Sequence, residues 1–179
     1  LPIVLTLSIE TNGRTMMGIT PSDLVQLQDD LCTPLAAYGT NCGLGAAEVI
    51  AGIINMKQAA DLANVKPILV AKGNCGIPEW IDGKICYSGT PELMAIYTKM
   101  AIDSGARIIG GCCGTSPKHV AEMRKVIDSH EKGDTPDLAR IESELGVITS
   151  GAKAQMGGDL TIAGGAAGPG HKDSGRSRR

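Results

Sequence analysis

The chain has no Phe, one Trp and three Tyr among its 179 residues, so Ile, Leu, Val, Ala and Met must fill its core. No apolar run approaches the roughly 18 residues of a membrane span, and no basic-then-apolar leader opens the chain. Excess charge of either sign is also lacking. The net charge is -2 and the pI about 5.9, so the basic surface that nucleic acid or an anionic membrane would need is not there. Six cysteines with no export signal do not read as a secreted disulfide scaffold. The expectation is a cytoplasmic protein whose thiols stay reduced, free for metal or catalysis. What is present suffices for a packed core: 42% hydrophobic and 20% charged residues, in a length suited to one domain.

One unit recurs four times: a short apolar strand, a polar or Gly-rich loop, and an amphipathic helix. The first strand is read over Pro2 to Ile9 and its helix starts at Thr20-Pro21, with Thr as N-cap and Pro at the first helical position. Leu24, Leu27 and Leu31 follow at helical spacing. The second strand, Ala37 to Asn41, ends at Cys42-Gly43, before a helix over Gly45 to Leu62. The third, Pro67 to Ala71, leads through Gly73-Asn74-Cys75-Gly76 and a long loop with Trp80 and Tyr87 to a helix opening at Thr90-Pro91. Leu93, Met94, Tyr97 and Ala101 mark the buried face of that helix. The fourth strand, Arg107 to Gly110, precedes a helix opening at Ser116-Pro117, with Val120, Met123 and Ile127 on one face.

Such alternation means an α/β fold with a parallel sheet. Four units occupy residues 1–130, about half of a (β/α)₈ barrel, which needs roughly 250 residues. Residues 131–150 read as a short helical extension, and 151–179 as a flexible, Gly-rich, disordered tail. Leu1 opens directly in a strand, which reads as a fragment or a chain whose front is missing.

Functional groups of parallel α/β folds gather at the C-terminal ends of the strands. Cys42, the Asn74-Cys75 pair and Cys112-Cys113 all fall there. Burial as small hydrophobes is the ordinary fate of cysteine, and it suits Cys32 and Cys86. It suits the adjacent Cys112 and Cys113 poorly, because neighbours on a strand face opposite ways. The glycines of Gly110-Gly111-Cys112-Cys113-Gly114-Thr115 let the backbone bend so that both sulfurs serve one site. A vicinal disulfide is the strained alternative. Three thiolates with an open fourth position suit a catalytic zinc site.

Asn41-Cys42, Gly73-Asn74-Cys75-Gly76-Ile77-Pro78 and Gly110-Gly111-Cys112-Cys113-Gly114-Thr115 resemble the homocysteine-binding zinc domain of betaine–homocysteine methyltransferase, cobalamin-dependent methionine synthase and S-methylmethionine-dependent homocysteine methyltransferases. The loop Thr11-Asn12-Gly13-Arg14-Thr15-Met16-Met17-Gly18 is similar to the loop after that family's fifth barrel strand. The resemblance covers residues 1 to about 129 in the family's order. It implies the C-terminal half of a TIM barrel, zinc as cofactor on Cys42, Cys112 and Cys113, and homocysteine with a small methyl donor as partners. By the same resemblance Asn74 matches a position that in some members fills the fourth zinc site when substrate is absent, with a turn-forming Asn as the plain alternative, and Cys75 is a neighbour. Backbone groups of Gly114 and Thr115 are candidates to hold the substrate carboxylate, with helix capping as the plain alternative. His119 reads as structural. Met16 and Met17 line a loop over the site or pack against helices.

The family's first half, with its early Asp-Gly segment and a glutamate after the fourth strand, has no counterpart by motif. A half barrel would expose two strand edges, so the expectation is a homo-oligomer or a need for the N-terminal half. Two functional readings stand. One is a zinc-dependent homocysteine S-methyltransferase that forms methionine, present as a C-terminal fragment. The other is a catalytically inactive zinc-binding or interaction module from a truncated or split gene.

Overall fold

The computed structural model describes residues 1–10 and 12–159. Four strands, β1 (Val4–Leu7), β2 (Ala37–Cys42), β3 (Leu69–Gly73) and β6 (Ala106–Gly111), form one sheet in chain order, each parallel to the next. Between β3 and β6 an antiparallel hairpin forms a second sheet, β4 (Pro78–Ile81) with β5 (Lys84–Tyr87). The helices are α1 (Pro21–Asp30), α2 (Ala46–Leu62), α3 (Pro91–Asp103), α4 (Pro117–Ser129), α5 (Leu138–Leu145) and α6 (Ser150–Met156).

The fold is α/β, built from βα units as the alternation predicts. α1 packs on α2, α2 on α3 and α3 on α4, so the crossover helices make one layer. The larger sheet stays open, with β1 and β6 as its edges. It is compatible with part of a (β/α)₈ barrel. Val4 and Ile108, on those edges, are exposed apolar side chains.

Helix starts follow local chemistry. Thr20 caps α1: its hydroxyl accepts from Asp23 N at 3.1 Å, and the Asp23 carboxylate accepts from Thr20 N at 2.8 Å. Thr90 caps α3 by accepting from Leu93 N. α2 is the central helix. Ile50, Ile53 and Met56 are fully buried with Leu69, Met94, Tyr97 and Met100. Leu31 lies just past the end of α1, and on α4 it is Met123 and Val126 that are buried, while Val120 and Ile127 are exposed.

Two sequence expectations fail. Cys32 and Cys86 are exposed, not buried. Residues 150–156 form a helix whose Gly151, Ala152 and Gln155 are buried, where composition predicts disorder. Composition counts what a segment could bury by itself; α6 is stable because it docks on α2. The remainder of the expected tail, 160–179, lies outside the described residues.

Tyr97 ties the core to the rim. It is wholly buried, and burial raises its phenol pKa well above the ordinary tyrosine value. Its oxygen accepts the N–H of Gly73, the last residue of β3, at 3.0 Å. Tyr97→Phe should leave that buried N–H unpaired and cost about 1–3 kcal/mol. A urea unfolding series with an unchanged m-value checks it.

Candidate metal centre

Three loops meet at the C-terminal end of the sheet. Cys42 closes β2 with φ +52°, a left-handed conformation unusual for a residue with a side chain. Gly43 follows at φ +68°, and a Cβ there would come 2.5 Å from the carbonyl oxygen of Ile9. The chain reverses direction in this turn, which leaves Cys42 on the rim.

β6 ends at Gly111, so the alternation of a strand no longer governs Cys112 and Cys113. They enter a turn closed by Thr115 N donating to Cys112 O at 3.2 Å. Gly114 completes it at φ +76°. A Cβ on Gly114 would sit 2.5 Å from the Tyr87 side chain, and one on Gly111 would sit 2.2 Å from the Thr115 hydroxyl. The glycines of this motif therefore serve close approach as well as bending.

The turn places the Cys112 and Cys113 sulfurs 4.0 Å apart. The Cys42 and Cys112 sulfurs are in contact as a disulfide, their Cα atoms 5.6 Å apart. All three sulfurs lie within 4.8 Å of one another. Among the described residues this is the group of His, Cys, Asp and Glu side chains arranged to hold a metal ion. Metal loading requires the pair reduced, since the thiolate is the ligand. Cys113 is exposed and the other two are half-buried, so a fourth donor can approach from solvent.

Backbone hydrogen bonds hold the loops in register. Cys112 N donates to Gly73 O at 2.8 Å, and Cys75 N donates to Cys113 O at 2.9 Å. Asn74 joins the two cysteine-bearing turns. Its Oδ1 accepts from Cys113 N at 3.1 Å, and its Nδ2 donates to Gly43 O at 3.0 Å. The side chain is buried, with both ends of the amide on backbone. It is a brace across the site as it stands.

Cys75 is buried and points away, with its sulfur donating to Gly89 O at 3.1 Å. Burial raises its thiol pKa, which keeps it protonated. His119 accepts from Ser116 N on Nδ1 at 2.9 Å, so its proton sits on Nε2, which faces Gly89 O at 3.3 Å. His119 thus fastens the start of α4 to the 89 loop, the structural role its position suggests.

Tyr87 stands at the end of β5. Its side chain packs against Gly114, next to Cys113, and interaction with Cys113, followed by desolvation, raises its phenol pKa. Asp82-Gly83, with φ +49° and +76°, is the hairpin turn that delivers Tyr87 there. That dipeptide was the available signal. Trp80, in the same hairpin, is 73% exposed. Thr115 Oγ1, next to Cys112 and Cys113, is buried without a partner among the described residues.

A sequence model of the family described as homocysteine S-methyltransferase matches residues 1–127. The chain belongs to the homocysteine S-methyltransferase family. The matched span runs from β1 to near the end of α4 and contains all three cysteines of the cluster. In this methyltransferase family member, α5 and α6 lie beyond the matched span. Among the described residues no helix is long and apolar enough to cross a membrane.

Proposed function

We propose that this chain carries the zinc centre of a homocysteine S-methyltransferase, with Cys42, Cys112 and Cys113 as the three protein ligands. The observation that carries the reading is the convergence of these sulfurs within 4.8 Å, from turns at the ends of β2 and β6. An all-thiolate set of three suits a soft, tetrahedral ion and leaves one position for substrate. Zinc, when bound, supplies the cation that converts an incoming thiol, ordinarily near pKa 8.5, to its thiolate at neutral pH.

The cysteines do the rest of the electronic work. Three thiolates would outweigh the double positive charge of the ion and so would leave electron density on a fourth, substrate sulfur that neutral ligands would withdraw. The reaction such a site would serve forms an S–CH₃ bond on homocysteine as the donor's bond to that methyl breaks; the electron pair would leave on the donor atom and the thiol proton would go to solvent. Tyr87 packs beside the Cys113 turn at Gly114, and Asn74 keeps the two turns together. Gly114 and Thr115 hold the substrate carboxylate in this reading. The donor is a small activated methyl compound.

The test is spectroscopic. Reduced protein loaded with Co(II) should take about one ion per chain. Homocysteine should then perturb the thiolate-to-cobalt absorption, while homoserine, which lacks the thiol, should not. A chain that holds metal but ignores homocysteine would support the inactive metal-binding module instead.

A further inference from the structure

The segment beyond the matched span is built into the rim. α6 meets the loop after β1, and the contact is polar and close. Asn12 Oδ1 accepts from Gly151 N and, at 3.1 Å, from Ser150 Oγ. Gln155 Nε2 donates to Gly13 O at 3.2 Å, and Asn55 Nδ2 donates to Gln155 Oε1 at 3.1 Å. Thr149 donates to Glu48 from its backbone N at 3.1 Å and from its hydroxyl at 2.6 Å. Glu48, Asn55 and Gln155 are buried. Burial pushes the Glu48 carboxyl pKa up, against the hydrogen bonds from Thr149 and Gly13.

Two glycines permit the approach. A Cβ on Gly151 would lie 2.1 Å from Asn12 O, and one on Gly13 would lie 2.7 Å from Ala152 N. Buried polar groups are tolerated because they are partnered. Without Thr149 and α6, Glu48 loses both bonds from Thr149 and the amide of Asn55 loses Ala152 O and Gln155 Oε1.

The root of the same loop, Ser8 and Ile9, meets the turn that carries Cys42. A turn closed by Thr15 N to Ile19 O (2.9 Å) and Ile19 N to Thr15 Oγ1 (3.0 Å) holds Met16 and Met17 outward, 82% and 87% exposed. With Leu7, Ser8 and Glu10 they line a cavity of about 370 Å³ at the end of β1. Ser8 Oγ accepts from Asn41 Nδ2 at 3.2 Å, and Asn41 directly precedes Cys42.

We propose that α6 is a latch that positions the loop from Asn12 to Ile19 beside the metal centre, so that the loop forms a wall of the site where homocysteine binds. Asn12 is the positioning residue that receives the latch. The ligand named here rests on the function proposed above; the mechanical part does not.

Asn12 offers clean variants, because its φ of +53° suits glycine and aspartate. Asn12→Gly removes the acceptor without strain, and Asn12→Asp keeps it. In the reduced, zinc-loaded chain, Asn12→Gly should raise amide exchange of residues 13–19 and 150–156 by roughly tenfold, the scale of a lost helix cap. Exchange at Cys112 and Cys113, and the metal stoichiometry, should stay unchanged. Homocysteine affinity, read by titration of the Co(II) form, should weaken about tenfold, and Asn12→Asp should restore both readouts. Unchanged exchange in Asn12→Gly would overturn the latch. Raised exchange with full homocysteine affinity would overturn its role at the site. If the native chain does not respond to homocysteine, the function reading fails on its own and the exchange measurement alone decides the latch.

Discussion

Cys112→Ser should abolish metal binding by the reduced chain. Cys112 sits between the other two donors, in contact with the Cys42 sulfur and 4.0 Å from that of Cys113. A serine hydroxyl is nearly isosteric but stays protonated at neutral pH, so the site drops from three anionic donors to two. Loss of an outer-shell partner typically weakens a metal site about 10- to 100-fold, and loss of a ligand should exceed that range. The expected result is one zinc per reduced native chain after dialysis and almost none in Cys112→Ser. The backbone bond from Cys112 N to Gly73 O survives the change, so the sheet should form normally. Cys86→Ser, at an exposed cysteine in the hairpin, should retain the full metal content. Stoichiometric zinc in Cys112→Ser would remove the cluster from consideration as the metal site.

Asn74→Ala should give the second largest effect, although the side chain is read here as no ligand in the observed arrangement. Its amide spans from Gly43 O to Cys113 N, and so from one cysteine-bearing turn to the other. Truncation leaves a part-buried N–H and a part-buried carbonyl without the amide, at a cost toward the lower end of the about 1–3 kcal/mol for an unsatisfied buried group. It also frees the Cys113 turn from the Cys42 turn. Zinc affinity measured against a competing chelator should fall about 10- to 100-fold, the range for a lost outer-shell partner. Asn74→Asp should fall in between, since it keeps the acceptor for Cys113 N and sets an anionic oxygen against Gly43 O. Unchanged affinity in Asn74→Ala would show that the turns hold themselves.

Much of this molecule is legible where the governing chemistry is local. Thr20-Pro21, Thr90-Pro91 and Ser116-Pro117 mark helix starts because capping needs only an oxygen and a preset φ. Asp82-Gly83 was equally local, and reading it as a turn would have found the hairpin and the path of Tyr87. Cys32 and Cys86 misled because cysteine's average burial says nothing about one particular loop. α6 was illegible for a different reason. Its seven residues carry no strong apolar face, and its stability comes from Asn12, Glu48 and Asn55, which lie about a hundred residues or more away in sequence.

Residue order alone thus settles the βα alternation, the parallel sheet and the placing of Cys42, Asn74 and Cys112-Cys113 at strand ends. Periodicity, caps and strand length act over a few residues, so they can be read without coordinates. The folded chain decides the rest. Cys42 and Cys112 are 70 residues apart, and only the parallel register through β3 brings their sulfurs together. It likewise turns Asn74 into a brace, sets Tyr87 against Gly114 and folds α6 onto the loop after β1. Those contacts join groups distant in sequence, and their energy appears only once the sheet and α2 hold both partners in place.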